Sequence, residues 1–244
     1  MKTNNHKLRG LYAITDSNLI KTEKFIEIVE QAILGGAKIV QYRDKSNDKP
    51  RRFKQAQALN QICKKHNIPL LINDDVTLAQ QVGADGIHIG KDDIEPKTAR
   101  AILGNDAIIG VSCYNQLTLA QQAEKAGATY VAYGSFFSSN TKPQAVSCNV
   151  DLLDKARKMV NCPLVAIGGI TPDNGAELIK AGADCLAVIH GLFGQAEVKV
   201  AAQRYATLFM RIRKNLIVTD LGGEHLCSPL QTPNSVGVDN RCNP

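Results

Sequence analysis

The sequence predicts an α/β protein: a single (β/α)8 barrel of the TIM type, followed by a disordered C-terminal tail. Three observations predict it. Short apolar, β-branched runs alternate eight times with amphipathic helical stretches. Gly-Ala pairs recur at Gly36-Ala37, Gly83-Ala84, Gly127-Ala128 and Gly182-Ala183, each after a helical stretch and before an apolar run. Polar residues gather where the apolar runs end. Strands without polar alternation suit a parallel sheet buried on both faces. Glycine just past a helix supplies the positive φ that ends it.

The elements follow in order. The first strand is Leu11–Thr15, and the helix Lys24–Leu34 sets Phe25, Ile28, Val29, Ala32 and Ile33 on one side. The second strand is Lys38–Tyr42. Pro50 opens the next helix, which runs to His66, because proline fits a first helical turn. The remaining strands are Leu70–Asn73, Gly86–Ile89, Ile108–Ser112, Tyr130–Tyr133, Leu164–Ile167 and Leu186–His190. The helices between and after them are Thr77–Val82, Pro96–Leu103, Leu117–Ala126, Val150–Val160, Asn174–Ala181 and Glu197–Leu216. No linker divides this region, so one barrel domain spans residues 8–218. Residues 219–244 turn rich in Gly, Ser, Asn and Pro, lose periodicity, and read as a tail. An open doubly wound sheet would show the same alternation.

Composition agrees. The chain has 244 residues, 44% hydrophobic and 21% charged, which excludes a disordered chain and provides a sizeable core. No apolar run approaches the ~20 residues of a membrane helix. The start, MKTNNHKLRG, is basic but leads into no apolar core, so no secretory signal is expected. Seven cysteines (Cys63, Cys113, Cys148, Cys162, Cys185, Cys227, Cys242) include no C-x-x-C pair. They read as reduced thiols of a cytoplasmic protein rather than a disulfide frame or zinc site.

The formal charge is +6. Part of it sits in Lys49-Pro50-Arg51-Arg52 with Lys54, and in Arg211-Ile212-Arg213-Lys214. Without interleaved aromatics these patches read as solvated helix faces rather than a nucleic-acid surface. A small anionic substrate suits the balance.

Chemistry in a barrel gathers at the C-terminal ends of the strands. Gln41, Arg43 and Lys45 alternate there and project to one side if the strand geometry persists. Arg as a fork and Lys as a point charge suit phosphate or diphosphate. A surface salt-bridge cluster with Asp44 and Asp48 is the alternative. Asp74 and Asp93, at the tips of neighbouring strands, could hold Mg2+, which takes one or two carboxylates plus waters and phosphate oxygens. Helix N-capping is the other reading, since Asp75 and Asp93 precede helices. Gly168-Gly169 stands where such barrels bind phosphate. The hydroxyl-rich stretch from Ser138 to Lys142 suggests a flap over the site. His88, within a strand, reads first as a hydrogen-bonded core residue. No H-E-x-x-H, G-x-S-x-G or G-x-x-x-x-G-K-[ST] motif occurs.

Taken together, these stretches resemble the thiamine phosphate synthase family. The matching pieces are Leu11-Tyr12-Ala13-Ile14-Thr15-Asp16, Gln41-Tyr42-Arg43-Asp44-Lys45, Leu71-Ile72-Asn73-Asp74-Asp75, Gly83 to Gly90, Ile109-Gly110-Val111-Ser112, Thr141-Lys142 and Ala166 to Thr171. The resemblance runs from about Leu8 to Leu216 and leaves the tail without a counterpart. It implies a (β/α)8 barrel that joins 4-amino-2-methyl-5-hydroxymethylpyrimidine diphosphate to a thiazole phosphate, releasing pyrophosphate.

By the same resemblance, Gln41, Arg43, Lys45, Asn73, Ser112 and Lys142 bind the pyrimidine diphosphate, with Arg43, Lys45 and Lys142 catalytic. Asp74 and Asp93 ligate Mg2+. Ser139, Asn140, Thr141, Gly169, Ile189 and His190 surround the thiazole phosphate. Ser139 stands where Thr is frequent and His190 where Ser is expected. The partners implied are two small phosphorylated substrates, with no nucleic acid and no membrane, and a homo-oligomer stays open. The alternatives are a thiazole tautomerase-like relative, which would lack much of the diphosphate and metal apparatus, and a regulatory phosphate-binding module without turnover.

Overall fold

The computed structural model describes residues 8–138 and 146–221. Strand β1 (Gly10–Ile14) is hydrogen-bonded in parallel on one side to β2 (Ala37–Tyr42) and on the other to β8 (Cys185–Val188). Between them run β3 (Leu70–Asn73), β4 (Gly86–Ile89), β5 (Ile108–Tyr114), β6 (Tyr130–Tyr133) and β7 (Leu164–Ile167), each paired with its sequence neighbour. The pairing of β1 with β8 closes the sheet and rules out the open doubly wound alternative.

Helices α1 (Phe25–Leu34), α2 (Lys49–Lys65), α3 (Val76–Val82), α4 (Pro96–Leu103), α5 (Leu117–Lys125), α6 (Asp151–Arg157) and α7 (Gly175–Lys180) return the chain between strands. After β8 come the four-residue α8 (His190–Phe193) and the long α9 (Val198–Leu221). The four Gly-Ala glycines all have positive φ, between 62° and 110°. Pro50 and Pro96 sit in the first turns of α2 and α4, where no intrahelical N–H bond is lost.

Alternation along each strand divides the core. Leu11 and Ala13 point outward, into the apolar shell shared by strands and helices. Tyr12 and Ile14 point inward with Ile39, Leu71, Tyr130, Ala132, Val165 and Ala187. The interior is therefore packed rather than a pore. The same inward rows, continued by one step, deliver the polar rim: Gln41 after Ile39, Asn73 after Leu71 and Ser112 after Gly110.

Two expectations change. The last strand ends at Val188, so His190 opens α8 instead of closing a strand. The backbone at Ile189 (φ −110°, ψ −87°) leaves the extended region, and pairing with β1 stops at Val188. The final helix runs to Leu221, so residues 219–221 are helical rather than part of a tail. The stretch from Asn215 to Leu221 carries no Gly or Pro, and the first breaker is Gly222-Gly223. The rest of the expected tail lies outside the described residues.

The first basic patch forms the start of α2, where Arg51 pairs with Asp44 and Arg52 with Asp75. That is the helix-face reading. Among the described residues no helix is long and apolar enough to cross a membrane.

Candidate active site

Above the packed interior, at the C-terminal ends of the strands, opens a cavity of about 920 Å3. Gln41, Arg43, Lys45, Asn73, Asp74, His88, Asp93 and Ser112 all line it. These side chains come from β2, β3, β4 and β5 and the loops that follow them. Gln41, Arg43 and Lys45 do share one side, as alternation requires. Asp44 turns away and pairs with Arg51 at 2.9 Å.

Arg43 is held at its backbone and its head. Its N–H donates to Thr15 Oγ1 at 2.8 Å, and its guanidinium donates to Asp16 Oδ2 at 2.9 Å. Asp16 is itself fixed by the backbone N–H of Asn18. One arm of the guanidinium is thus anchored on the loop after β1, while the residue faces the cavity. Lys45 reaches across the mouth and donates to Asp74 Oδ2.

Asp74 sits in the left-handed region at φ 62°, its N–H bonded to the His88 carbonyl at 2.8 Å. That conformation is unusual for a residue with a side chain and turns the carboxylate over the rim. Its neighbour Asp75 caps α3, accepting from the Leu78 N–H. The capping alternative therefore holds for Asp75. It does not hold for Asp93, because α4 begins after Glu95 and Asp93 instead accepts from the Gly90 N–H at 2.7 Å.

Asp74 and Asp93 face each other. Burial pushes the Asp74 carboxyl up, but hydrogen bonds from Lys45 and with Asp93 outweigh it and hold Asp74 below the usual carboxylate range. Asp93 goes the other way: burial raises it first, and the neighbouring Asp74 adds to that against the Gly90 N–H. Two carboxylates this close resist ionising together. A hard divalent cation relieves the conflict, so the pair fits Mg2+. No group of three or more His, Cys, Asp or Glu donors occurs among the described residues. The pair thus suits an ion that keeps waters and phosphate oxygens rather than an all-protein cage.

A second hollow of about 220 Å3 adjoins the first and shares Ile167, Gly168 and Ile189 with it. Gly169, Ile189 and His190 come together there, beside Thr171 and Ser138. Gly168 and Gly169 have φ of 104° and 60°. A Cβ on Gly169 would run into the backbone of Ser138 and Phe137, so only glycine lets the two loops meet. Ser139, Asn140, Thr141 and Lys142 lie outside the described residues.

Several residues behind the lining were given no role by the motifs. Tyr12 and Tyr130 are buried, and their hydroxyls are 2.8 Å apart. Asp16 is the anchor of Arg43. The inward phase of β1 would have found Tyr12. His88 is both core and site: its ring bonds Tyr130 and Ser112, and it lines the cavity.

Residues 11–192 match the family model of thiamine monophosphate synthase. The chain belongs to that family. It is 50% identical over 202 residues to the thiamine-phosphate synthase of Nitrosococcus oceani, covering 83% of this chain and 93% of that one. It is 48% identical over 212 residues to the thiamine-phosphate synthase of Acidithiobacillus ferrooxidans, covering 86% and 98%. Among solved structures, thiamine phosphate pyrophosphorylase from Pyrococcus furiosus superposes with a TM-score of 0.75 at 32% identity, covering 85% of this chain and 98% of that one. A thiamine monophosphate synthase is a transferase that makes thiamine phosphate. The two adjoining hollows agree with a reaction that brings two substrates together at one rim.

Proposed function

We propose that the larger hollow takes 4-amino-2-methyl-5-hydroxymethylpyrimidine diphosphate and the smaller one the phosphate of a thiazole partner. The single observation that carries this is the convergence of Arg43, Lys45, Asp74 and Asp93 from three different strand ends on one cavity. Such a set handles a diphosphate and its counter-ion. In this reading Gln41, Asn73 and Ser112 hold the pyrimidine side, while Arg43, Lys45 and Lys142 take the diphosphate oxygens. Gly169, Ile189 and His190, with Ser139, Asn140 and Thr141, surround the thiazole phosphate. Exposed backbone N–H groups at Gly168-Gly169 suit that anion.

The bond to the pyrimidine methylene carbon breaks as diphosphate leaves, and negative charge grows on the departing oxygens. Arg43, pre-set by Asp16, meets that charge without rearranging much, which is how fixed cations accelerate such a step, and Lys45 joins it on leaving Asp74. Mg2+, held by Asp74 and Asp93, supplies further neutralisation of the diphosphate when bound. The thiazole nitrogen then attacks the cationic carbon. No nucleophilic side chain is needed, because the chain's task is to hold two anions close and exclude water.

The buried thiols support a reducing compartment, and we place the enzyme in the cytoplasm. Cys63, Cys113, Cys148, Cys162 and Cys185 are all unpaired, and burial pushes the Cys63 and Cys113 thiols up to about 12. The test of the reaction is turnover: purified protein, both substrates and Mg2+ should yield thiamine phosphate and pyrophosphate in equal amounts. Binding of both ligands without product would leave a phosphate-binding module instead.

A further inference from the structure

The first turn of α2 grips both loops that carry the rim charges. Arg51 reaches back to the loop after β2, where its Nη2 donates to Asp44 Oδ2 at 2.9 Å and to Ser46 Oγ at 2.8 Å. Asp44 is buried and also accepts from the Ser46 N–H at 2.8 Å. Lys45 stands between the two residues so gripped. Arg52 reaches to the loop after β3, where its Nη2 donates to Asp75 Oδ2 at 2.8 Å. The other oxygen of Asp75 accepts from the Leu78 N–H at 2.9 Å. Asp75 follows Asp74 directly, and its own N–H bonds the Asn73 carbonyl at 2.7 Å.

The two grips share one base. Arg51 and Arg52 are consecutive, and the helix is capped by Asp48, which accepts from the Arg51 N–H at 3.0 Å. Through this turn the loop after β2 is fixed to the loop after β3 on the side away from the cavity, which neither arginine lines. On the cavity side the same two loops meet through Lys45 and Asp74. That contact is open to water and therefore weak. The grip on Asp44 is different, because removing Arg51 would leave a buried carboxylate without its partner. When Lys45 turns to a phosphate, the two arginines are what keeps the loops in register.

The geometry points to Arg51 and Arg52 as positioning residues for the reaction: Arg51 sets Lys45 for the diphosphate, and Arg52 sets Asp74 for the cation that accompanies it. The inference rests on the diphosphate reading above. An ammonium and a metal ion that neutralise one diphosphate must stand at a fixed spacing, and groups in such a constellation have to be held within about 0.5 Å. Hydrogen bonds made behind the binding residues do this without occupying the site. Because both arginines leave one helical turn, the position of the lysine and that of the carboxylate are set from a single frame.

Calorimetry with inorganic pyrophosphate as the probe, first in EDTA and then in Mg2+, reads the two arms apart. The wild-type chain should bind pyrophosphate in both and more tightly in Mg2+. Arg51→Gln should weaken binding in EDTA by about tenfold, with the gain from Mg2+ kept. Arg52→Gln should bind as the wild type does in EDTA and lose about tenfold of the Mg2+ gain, the low end for residues that orient a metal ligand. The KM for thiazole phosphate should stay put in both. Ser46→Ala removes one of the two bonds from Arg51 while Asp44 stays paired, so it tests the first arm without stripping a buried charge, and it should weaken pyrophosphate in EDTA by about threefold. A role in stability alone would lower the melting temperatures and leave every binding constant unmoved. Unchanged affinity in EDTA for Arg51→Gln and Ser46→Ala, or an unchanged Mg2+ gain for Arg52→Gln, would overturn the assignment. A wild-type chain that binds pyrophosphate under neither condition would instead overturn the diphosphate reading.

Discussion

The Lys45 ammonium and the Asp74 carboxylate meet across the mouth of the cavity, one from the loop after β2 and the other from the tip of β3. Lys45 is 59% exposed and Asp74 26%, and an ion pair this open is worth only about 0–1 kcal/mol. Lysine can therefore leave for a phosphate at little cost, and Asp74 is then available to a cation. Asp74→Asn should raise the Mg2+ concentration needed for half-maximal rate by about tenfold or more, the scale of one lost charged contact. Titrating the rate with Mg2+ checks this. An unchanged Mg2+ dependence would remove Asp74 from the ion site.

Asp16 holds one arm of Arg43 at 2.9 Å and is itself buried. Its value lies in keeping the guanidinium aimed before substrate arrives. Asp16→Asn keeps the shape and removes the charge. The expected result is a fall in kcat/KM for the pyrimidine diphosphate of roughly tenfold, consistent with a lost charge-assisted bond of about 1.5–3 kcal/mol. The KM for thiazole phosphate should stay near its wild-type value. Steady-state kinetics with each substrate varied in turn would separate the two; a loss spread equally over both would point to general damage.

The barrel was legible because its signals are local and repeated. Continuous apolar strands, glycines past helices and prolines in first turns each act within a few residues. The rim cations and carboxylates were legible too, since strand ends gather chemistry. Less visible were the partners. That Arg43 would be tied to Asp16, or that Asp75 rather than Asp93 would cap a helix, depends on loop paths that no short pattern fixes. Tyr12 and Tyr130 stand 118 positions apart, and only closure of the barrel makes them neighbours. His190 was misplaced because apolar character runs on through Ile189 after pairing with β1 has ended.

Gly110 makes room for Tyr130, and the space cannot be supplied any other way at that register. β5 and β6 are paired with Gly110 opposite Tyr130, and an added Cβ would overlap the ring. Gly110→Ala should destabilise by about 1–3 kcal/mol, the usual cost of overpacking a core. For a domain of this size that corresponds to a drop in Tm of roughly 2–12 °C. Differential scanning calorimetry reads it directly. A melting temperature equal to wild type would mean the strand shifts freely and Tyr130 is not confined.

Acid should weaken the barrel through Asp44. Burial tends to raise this carboxyl, but hydrogen bonds from the Ser46 N–H and from Arg51 outweigh it and hold Asp44 below its ordinary range. A depressed native value means that the unfolded chain takes up the proton first. The stabilisation is therefore complete above the ordinary carboxylate range, near pH 4, and is lost as pH falls through the lower native value. Tm measured from about pH 6 down to pH 3 should fall more steeply in the wild type than in Asp44→Asn. The variant should start lower at neutral pH, because Arg51 has lost its charged partner. Parallel curves would show that Asp44 does not set the acid limb.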